Sequence, residues 1–401
     1  MDIAGANRRI YLDNAATSYP KPAEVWESMA RYMHDIGASP GRGGYGSSLD
    51  AGRLVFDARE DAAQLFHASR AEHVIFTPNV TYALNFAIHG LLRRGDHVVT
   101  TSMEHNSVIR PLRSAQESVA AEVTAVECDA QGGLDPGDVH RALRPNTRMI
   151  VMTHASNVCG TVMPVAEVAR IAREVGAFMV VDAAQTAGTT DIDMRTLAVD
   201  VLAFTGHKGL YGPPGTGGMV LSARAAAEMA ALVQGGTGSR SDEELQPGML
   251  PDKFEPGTPN TLGIAGLGAG IRFVLQCGVN QIGMHELGLA SEFVQAARAI
   301  PGIRLFGPWE TDTSAAVCAS DRVATVSVGF ASAQADPSRA AYLLDRDFGI
   351  MVRSGLHCAP LAHRTLGTFP AGTLRFSFGW FNTISDARDA AGALARIAEA
   401  L

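Results

Sequence analysis

The chain contains 401 residues, of which 46% are hydrophobic and 18% charged, and this length can bury the core of more than one compact domain. The formal net charge is −8 and the basic residues are scattered, which argues against a nucleic-acid-binding protein. Five cysteines lie far apart without a Cys-x-x-Cys pair, which argues against a disulfide framework or a metal site and fits a reducing cytoplasm.

The N-terminus lacks the apolar stretch of a signal peptide, and no run of about 18 apolar residues occurs, so no membrane span is expected. From residue 71 to about residue 220, short apolar runs alternate with amphipathic stretches such as Val165–Glu174. This alternation predicts an α/β fold whose mostly parallel sheet is covered by helices on both faces. The predicted strands are residues 73–77, 97–101, 149–154, 178–182, 201–205 and 218–221.

The sequence changes character after the last of these strands. Residues 235–259 are rich in Gly, Pro and Ser and lack periodicity, which indicates loops that carry function or cross to a neighbour. Residues 262–277 then predict a long helix that leads into a smaller C-terminal α+β region.

Two predicted strands lead into residues that could take part in a reaction. Asp182 ends the apolar strand of FMVVDAAQT, and Lys208 follows the apolar strand of DVLAFTGHKGLYG in a glycine-rich turn. Asp182 alone could be a helix cap, and isolated lysines are mostly surface charges. Together they suit pyridoxal phosphate, which needs an amine for a Schiff base and a carboxylate that keeps its ring nitrogen protonated. Gln185, on the same turn as Asp182, could bond the phenolic oxygen of the cofactor.

The cofactor's phosphate needs backbone N–H groups and hydroxyls at a helix start. Thr81 follows an apolar strand and opens a helical pattern; Thr205 ends the predicted strand 201–205, and His207 follows it. Each hydroxyl singly could be an N-cap. Their placement at successive strand ends predicts a phosphate site.

The sequence resembles the class V (fold-type I) pyridoxal-phosphate-dependent aminotransferase superfamily, and within it the cysteine desulfurase and selenocysteine lyase family. The resemblance covers nearly the whole chain in the family's order. It implies a large domain at residues 20–262 with a mostly parallel seven-stranded sheet, and a smaller α+β domain at residues 1–19 and 263–401. The matching motifs are YLDNAATSYPKP, TYALNFAI, MEHNSVIRPL, HASNVCGT, VDAAQT, FTGHKGLYGPPGTGG, FEPGTPN, RSGLHCAP and RFSFGWFNT.

The resemblance implies several residues around the cofactor. His105 matches the histidine that stacks on the ring and serves as acid or base, although it could instead be a structural hydrogen-bonding residue. Asn157 matches an asparagine near the phenolic oxygen and the substrate. Thr258 matches a threonine that reaches the phosphate of the other subunit, which implies a homodimer with composite sites. The other cofactor-binding residues implied are Val80, Thr81, Asp182, Gln185, Thr205, His207 and Lys208.

The substrate side follows from the same resemblance. Arg375 matches the arginine that pairs with the substrate carboxylate, for which a planar guanidinium is suited; alternatively it forms an internal ion pair. Relatives carry histidine where Gly41 and Tyr45 stand, so the substrate preference is left open here. The other substrate-binding residues implied are Asn14, Ala15, Arg42, Asn157 and Arg353.

Cys358 lies in a loop bounded by Gly355 and Pro360, beside His357, where a thiolate would be accessible. The resemblance makes it the nucleophile that takes sulfur from L-cysteine as a persulfide, with Lys208 as general base, alanine as product and a sulfur-acceptor protein as partner. Alternatively Cys358 is a structural cysteine. Three activities stay open on the same scaffold, namely selenocysteine lyase, C–S β-lyase and epimerase, as does a cofactor-free sulfur-relay protein.

Overall fold

A computed structural model describes residues 9–41, 43–309, 321–332 and 335–400. Its strands are β1 (Ile10–Tyr11), β2 (Val74–Thr77), β3 (His97–Thr101), β4 (Glu122–Val126), β5 (Thr147–Thr153), β6 (Phe178–Asp182), β7 (Val201–Thr205), β8 (Gly217–Leu221), β9 (Ile303–Phe306), β10 (Thr325–Phe330), β11 (Ile350–Met351), β12 (Arg353–Gly355) and β13 (Thr373–Ser377). Its α-helices are α1 (Ala23–Arg31), α2 (Gly46–Leu65), α3 (Val80–Leu91), α4 (Asn106–Ser118), α5 (Pro136–Ala142), α6 (Val165–Glu174), α7 (Met194–Leu197), α8 (Ala223–Glu228), α9 (Thr261–Cys277), α10 (Val279–Arg298), α11 (Pro337–Phe348), α12 (Pro360–Thr365) and α13 (Ile384–Ala400).

The central sheet has seven strands in the order β2-β8-β7-β6-β5-β3-β4. Only β8 runs against its neighbours, since it pairs antiparallel with both β2 and β7 while the other pairs are parallel. The mostly parallel seven-stranded sheet is therefore confirmed, as are all six predicted strands within two residues at each end. Strand β4 was not predicted. It lies at the edge of the sheet, and its residues are polar or partly exposed apart from Val126.

Both faces of this sheet are buried, as a continuous apolar strand requires. In β6, Phe178 and Val180 contribute to one hydrophobic cluster, whereas Met179 and Val181 contribute to the cluster on the opposite face. Side chains alternate between the faces of a strand, so each face packs against its own layer of helices. Helix α6 has the bounds that its apolar periodicity predicts.

A third hydrophobic cluster lies mostly in the C-terminal part of the chain. It joins α10, α11 and α13 to a four-stranded antiparallel sheet of order β12-β13-β10-β9. The N-terminal strand β1 pairs with β11, so the first described residues belong to this smaller body. Helix α9 packs instead against the larger body, because Leu267, Ile271 and Val274 lie in a cluster of the central sheet. The domain boundary at residue 262 stays a prediction.

Among the described residues, no single helix is long and apolar enough to cross a membrane. Helices α9 and α10 meet that test by length and composition only as a pair, bent by 81° at the break between them. Helix α9 is mostly buried in the protein.

Candidate active site

Asp182 and Lys208 follow the carboxyl ends of two adjacent parallel strands, β6 and β7. Asp182 is 4% exposed, and the backbone N–H of Ala184 donates to its Oδ1 at 2.9 Å. Burial raises the pKa of Asp182, and the Lys208 ammonium opposes that rise. Burial lowers the pKa of Lys208 to about 8, and Asp182 opposes that fall. Each charge acts on the pKa of the other. That the amine and the carboxylate serve one cofactor stays a prediction.

The turn that carries Lys208 is held by the N-terminal segment. Ser18 Oγ donates to the Lys208 carbonyl at 2.7 Å, and Thr17 Oγ1 donates to the His207 carbonyl at 3.0 Å. Lys21 Nζ donates to the same His207 carbonyl at 2.8 Å. From the other side, the N–H of Tyr211 donates to the Lys208 carbonyl at 2.9 Å. The backbone of Lys208 is thus fixed by donors from two segments.

His105 is the N-cap of α4, and its Nδ1 accepts from the N–H of Ser107 at 3.0 Å. This bond assigns the proton of the neutral ring to Nε2. Burial lowers the pKa of His105 to about 4, and Lys208, Arg110 and Arg375 add to the effect. At neutral pH the ring is uncharged, which suits a stacking partner for an aromatic cofactor.

The residues predicted for a phosphate fit an anion. Thr205 is buried, and its Oγ1 has no hydrogen-bond partner among the described residues, so an acceptor or donor from a ligand would satisfy it. Helix α3 begins at Val80, which leaves the N–H groups of Val80 and Thr81 without intrahelical acceptors. Thr81 Oγ1 contacts Ser107 Oγ at 2.8 Å, which ties α3 to α4. Burial lowers the pKa of His207 to about 4, so its ring can take either hydrogen-bonding role at neutral pH.

Thr258 and Lys208 line different cavities. Thr258 lines a groove of roughly 270 Å³ together with Phe76, Phe254, Pro256 and Pro259, and Lys208 does not line that groove. The predicted contact of Thr258 with a second subunit stays a prediction.

The amides of Asn157 and Gln185 are bonded to protein groups. Asn157 Nδ2 donates to the His357 carbonyl at 2.7 Å, and Gln185 Nε2 donates to the Ala15 carbonyl at 3.1 Å. Ala15 N–H in turn donates to Ser377 Oγ at 2.9 Å. Asn157 therefore reaches the loop that contains Cys358, and Gln185 holds the N-terminal segment against the site.

Arg375 lies on β13 and is 2% exposed. Its Nη2 donates to Asp13 Oδ1 at 2.8 Å, and its Nη1 donates to the Asn157 carbonyl at 2.9 Å. Arg353 Nε donates to the other oxygen of Asp13 at 3.0 Å. The internal ion pair considered as an alternative for Arg375 is present. It does not use the whole guanidinium, because Nε is buried without a hydrogen-bond partner in the described part of the chain.

Cys358 is exposed, whereas Cys159 is buried and Cys128 and Cys277 are partly buried. Burial raises the pKa of the Cys128 thiol to about 12, which makes it a poor nucleophile. Cys318 and Arg42, the latter predicted for the substrate pocket, lie outside the described residues. Cys358 is thus the accessible thiol among the four described cysteines.

The Cys358 loop is tied to the lysine site. The Cys358 carbonyl accepts a hydrogen bond of 2.8 Å from the N–H of Asn106, which follows His105 at the start of α4. His357 and Cys358 have φ angles of 48° and 58°, left-handed backbone conformations that residues other than glycine rarely adopt. The bonds from Asn106 and Asn157 hold this unusual backbone in place. The thiol loop and the cofactor-site residues therefore share the same supports.

Three further residues of this region were not singled out in the sequence. Asp13 bridges two arginines, and Lys21 supports the Lys208 turn. Glu104 is fully buried beside His105, and its Oε1 accepts from Thr101 Oγ1 at 2.6 Å and from the Thr153 N–H at 3.1 Å. All three lie within the motifs that carry the family resemblance, LDNAAT, SYPKP and MEHNS, and this position could have marked them as candidates. Their partners were not visible in it.

Asn14 lines the same cavity as Lys208, and its side chain also bonds the end of the chain's smaller body. Its Nδ2 donates to the Ser377 carbonyl at 3.0 Å and to Asn382 Oδ1 at 3.2 Å. Both partners belong to the smaller body. Its predicted contact with substrate stays a prediction.

Residues 10–389 match the family model described as aminotransferase class-V. The chain is 37% identical over 388 residues to a probable cysteine desulfurase of Methanothermobacter thermautotrophicus, with 95% of this chain and 93% of that protein covered. It is 32% identical to a cysteine desulfurase of Haloferax volcanii, with 95% and 89% covered. The apo structure of cysteine desulfurase from Thermococcus onnurineus superimposes with a TM-score of 0.88 at 32% identity, over 98% of this chain and 95% of that one.

Proposed function

The chain belongs to the aminotransferase class-V family, and from this premise we propose that it is a pyridoxal-phosphate-dependent cysteine desulfurase. Members of this family use that cofactor. The proposed reaction converts L-cysteine and the Cys358 thiol into L-alanine and a Cys358 persulfide. The carbon–sulfur bond of the substrate breaks, a sulfur–sulfur bond forms on Cys358, and the carbon that lost sulfur gains a proton.

The observation that carries this proposal is the link between the thiol loop and the lysine site. Asn106 begins the helix capped by His105, and its N–H bonds the Cys358 carbonyl at 2.8 Å. The loop that carries the exposed Cys358 thiol is thereby bonded to the helix whose N-cap, His105, has its pKa lowered in part by Lys208. A relative without sulfur chemistry would not need a thiol at this place.

The residues that would hold the cofactor are Lys208 at its aldehyde carbon, Asp182 at the ring nitrogen and His105 on the ring face. Its phosphate would take Thr205 Oγ1 and the helix start at Val80. When bound, the cofactor supplies an electron sink for the α-carbon. The remaining predicted cofactor contacts are Thr81, Gln185, Asn157, His207 and Thr258 of a second subunit.

The chain's own groups would do the rest. Arg375 binds the α-carboxylate of L-cysteine, with Arg353 close by. Lys208 Nζ takes the α-proton and returns a proton later, a role that its lowered pKa favours because a general base must be neutral at working pH. Cys358 Sγ attacks the substrate sulfur. His105 Nε2, which holds the ring proton, exchanges a proton with the substrate thiol.

The test is turnover by purified, cofactor-loaded protein, with alanine and sulfide measured from L-cysteine, L-selenocysteine and cystathionine. We expect alanine from L-cysteine, and we expect Cys358→Ser to abolish it. Cys277→Ser is the matched control, since Cys277 is a partly buried thiol at the end of α9. Comparable turnover of cystathionine, or undiminished alanine release by Cys358→Ser, would contradict the desulfurase proposal.

Selenocysteine lyase is the second candidate, because a selenium leaving atom need not use Cys358. Turnover of L-selenocysteine that survives Cys358→Ser, without turnover of L-cysteine, would favour it. A cofactor-free relay protein would show no visible absorbance that depends on Lys208. We also infer a cytoplasmic location from the cysteine pattern alone.

We further propose that the active unit is a homodimer. The groove that contains Thr258 is lined by both apolar and polar side chains, and two of the apolar ones, Tyr82 and Val233, are 52% and 51% exposed. An exposed apolar surface of this kind is typical of an interface. A second copy would cover it and bring Thr258 to the partner's phosphate. Sedimentation of a monomer that binds cofactor fully and is active would contradict this.

The persulfide on Cys358 would pass to an acceptor protein. The exposure of Cys358 on a surface loop supports transfer to a partner rather than to an internal group. The chemistry of that partner is a nucleophilic thiol.

A further inference from the structure

Arg353 and Arg375 stand opposite each other on neighbouring strands. In the antiparallel pair β12–β13 they are direct Cα partners. Like charges in directly opposed positions destabilise a sheet, and long side chains so placed move apart unless a counter-charge holds them. Arg375 is also buried, so its charge cannot be solvated by water. This pair needs an anion.

Asp13 supplies that anion from a distant part of the chain. The N-terminal segment runs beside β13, where Asp13 forms a bridge with Ser377 and the Ser377 N–H donates to the Leu12 carbonyl at 2.8 Å. From there Asp13 gives one oxygen to each guanidinium, at 2.8 Å to Arg375 and 3.0 Å to Arg353. One carboxylate thus spans two cations and leaves the group with a net charge of about plus one.

The arrangement leaves donors for a second carboxylate. Arg375 Nε has no hydrogen-bond partner among the described residues, and half of the Arg353 side chain is exposed, at 51%. The three charges also lie near the reactive amine. Arg375 and Arg353 lower the pKa of Lys208, and Asp13 raises it, although burial is the largest cause of its shift.

We infer that Asp13 is a positioning residue for the substrate's α-carboxylate. It holds Arg353 and Arg375 together in one fixed group, so that an amino acid meets a preformed pair of cations. This inference rests on the carboxylate role proposed for Arg375. It does not depend on sulfur transfer, and Asp13 itself need not touch the substrate. Such preorganisation improves affinity because the side chains are ordered before the ligand binds.

The experiment compares two ligands that differ only in the carboxylate. Binding of L-alanine and of ethylamine to the cofactor-loaded protein is measured by calorimetry, because neither carries a thiol that reacts with the cofactor. In Asp13→Ala we expect L-alanine affinity to fall about tenfold or more, since a charged hydrogen-bond network is lost. Ethylamine affinity should change by less than about twofold, the spread expected for contacts that the variant leaves intact. Asp13→Asn should give a smaller loss, because its oxygen can still accept from Arg375.

Asp200→Asn is the matched control. Asp200 is a buried carboxylate that binds Arg224, and it precedes β7 at the opposite end from Lys208. It should leave the affinity ratio of the two ligands unchanged. Unchanged or tighter L-alanine binding in Asp13→Asn, or equal weakening of both ligands, would overturn the inference. A protein that binds L-alanine as expected but makes no persulfide would instead refute the desulfurase proposal and leave Asp13 supported.

Discussion

Lys208 is one of only three lysines in the chain, the others being Lys21 and Lys253, so its amine can be titrated individually. Burial lowers its pKa from the ordinary 10.5 to about 8. At pH 7 about one-tenth of such an amine is neutral, against about 3 in 10,000 for an ordinary lysine, a gain of roughly 300-fold. Only the neutral amine attacks a carbonyl or accepts a proton. Lys208 should therefore react much faster at neutral pH than an ordinary surface lysine.

The perturbation is Asp182→Asn in protein freed of cofactor, because a bound cofactor would consume the amine. Asp182 holds the pKa of Lys208 up, so its neutralisation should lower that pKa below about 8. Lys21 is an internal control. Burial also lowers its pKa to about 8, but Asp182 is not among the causes, so its midpoint should not move.

The assay is labelling with trace acetic anhydride across a pH series, with each lysine followed by its own peptide. We expect a midpoint near 8 for Lys208 in the unaltered protein, and a lower one in Asp182→Asn. A midpoint near 10.5 for Lys208 would refute the desolvation argument. Equal movement of Lys21 and Lys208 would show that the variant had loosened the fold rather than removed one charge.

Three further predictions concern stability, measured by denaturant unfolding. Arg59→Met breaks an ion pair with Glu255, in which Nη1 and Nη2 each bond one carboxylate oxygen, at 2.7 and 2.8 Å. The two side chains are only 6% and 14% exposed, so the free energy of unfolding should fall by about 3–5 kcal/mol. A fall of less than about 1 kcal/mol would contradict this. Gly188→Ala should lower the free energy of unfolding by about 1–3 kcal/mol, because φ is 93° and a Cβ would clash with the carbonyl of Gly209, next to Lys208. An unchanged unfolding midpoint would contradict this. Burial raises the pKa of Glu104 from 4.5 to about 8, so the folded state binds this proton more tightly than the unfolded state. Stability should therefore fall as the pH rises from 4.5 to about 8, and Glu104→Gln should lack this fall. The same dependence of stability on pH in both proteins would contradict this.

The larger body could be predicted where strands are buried on both faces. Residues 178–182 and 201–205 are unbroken apolar runs, and the structure has β6 and β7 with those bounds. Helix α9 begins one residue before the predicted start because Asn260 caps it, accepting from the Gly263 N–H at 3.0 Å. Strand β4 was missed because an edge strand with an exposed face carries no such run.

In the candidate site, too, only part of the arrangement could be predicted from local sequence patterns. Asp182 and Lys208 could be placed together because parallel strand ends meet at one edge of a sheet. The bridge formed by Asp13 could not, because its two bonds join it to residues 340 and 362 positions away. No spacing rule reaches across several hundred residues of intervening chain. Contacts of that range become visible only when the N-terminal segment is seen lying beside β13.

The most direct test of the proposed desulfurase is the mass of the Cys358 peptide after the loaded protein has met L-cysteine without an acceptor. The account predicts that Cys358 gains the mass of one sulfur atom, that one alanine appears for each sulfur gained, and that Lys208→Ala shows neither. Alanine released while Cys358 keeps its original mass, or sulfur found on Cys277 instead, would contradict it.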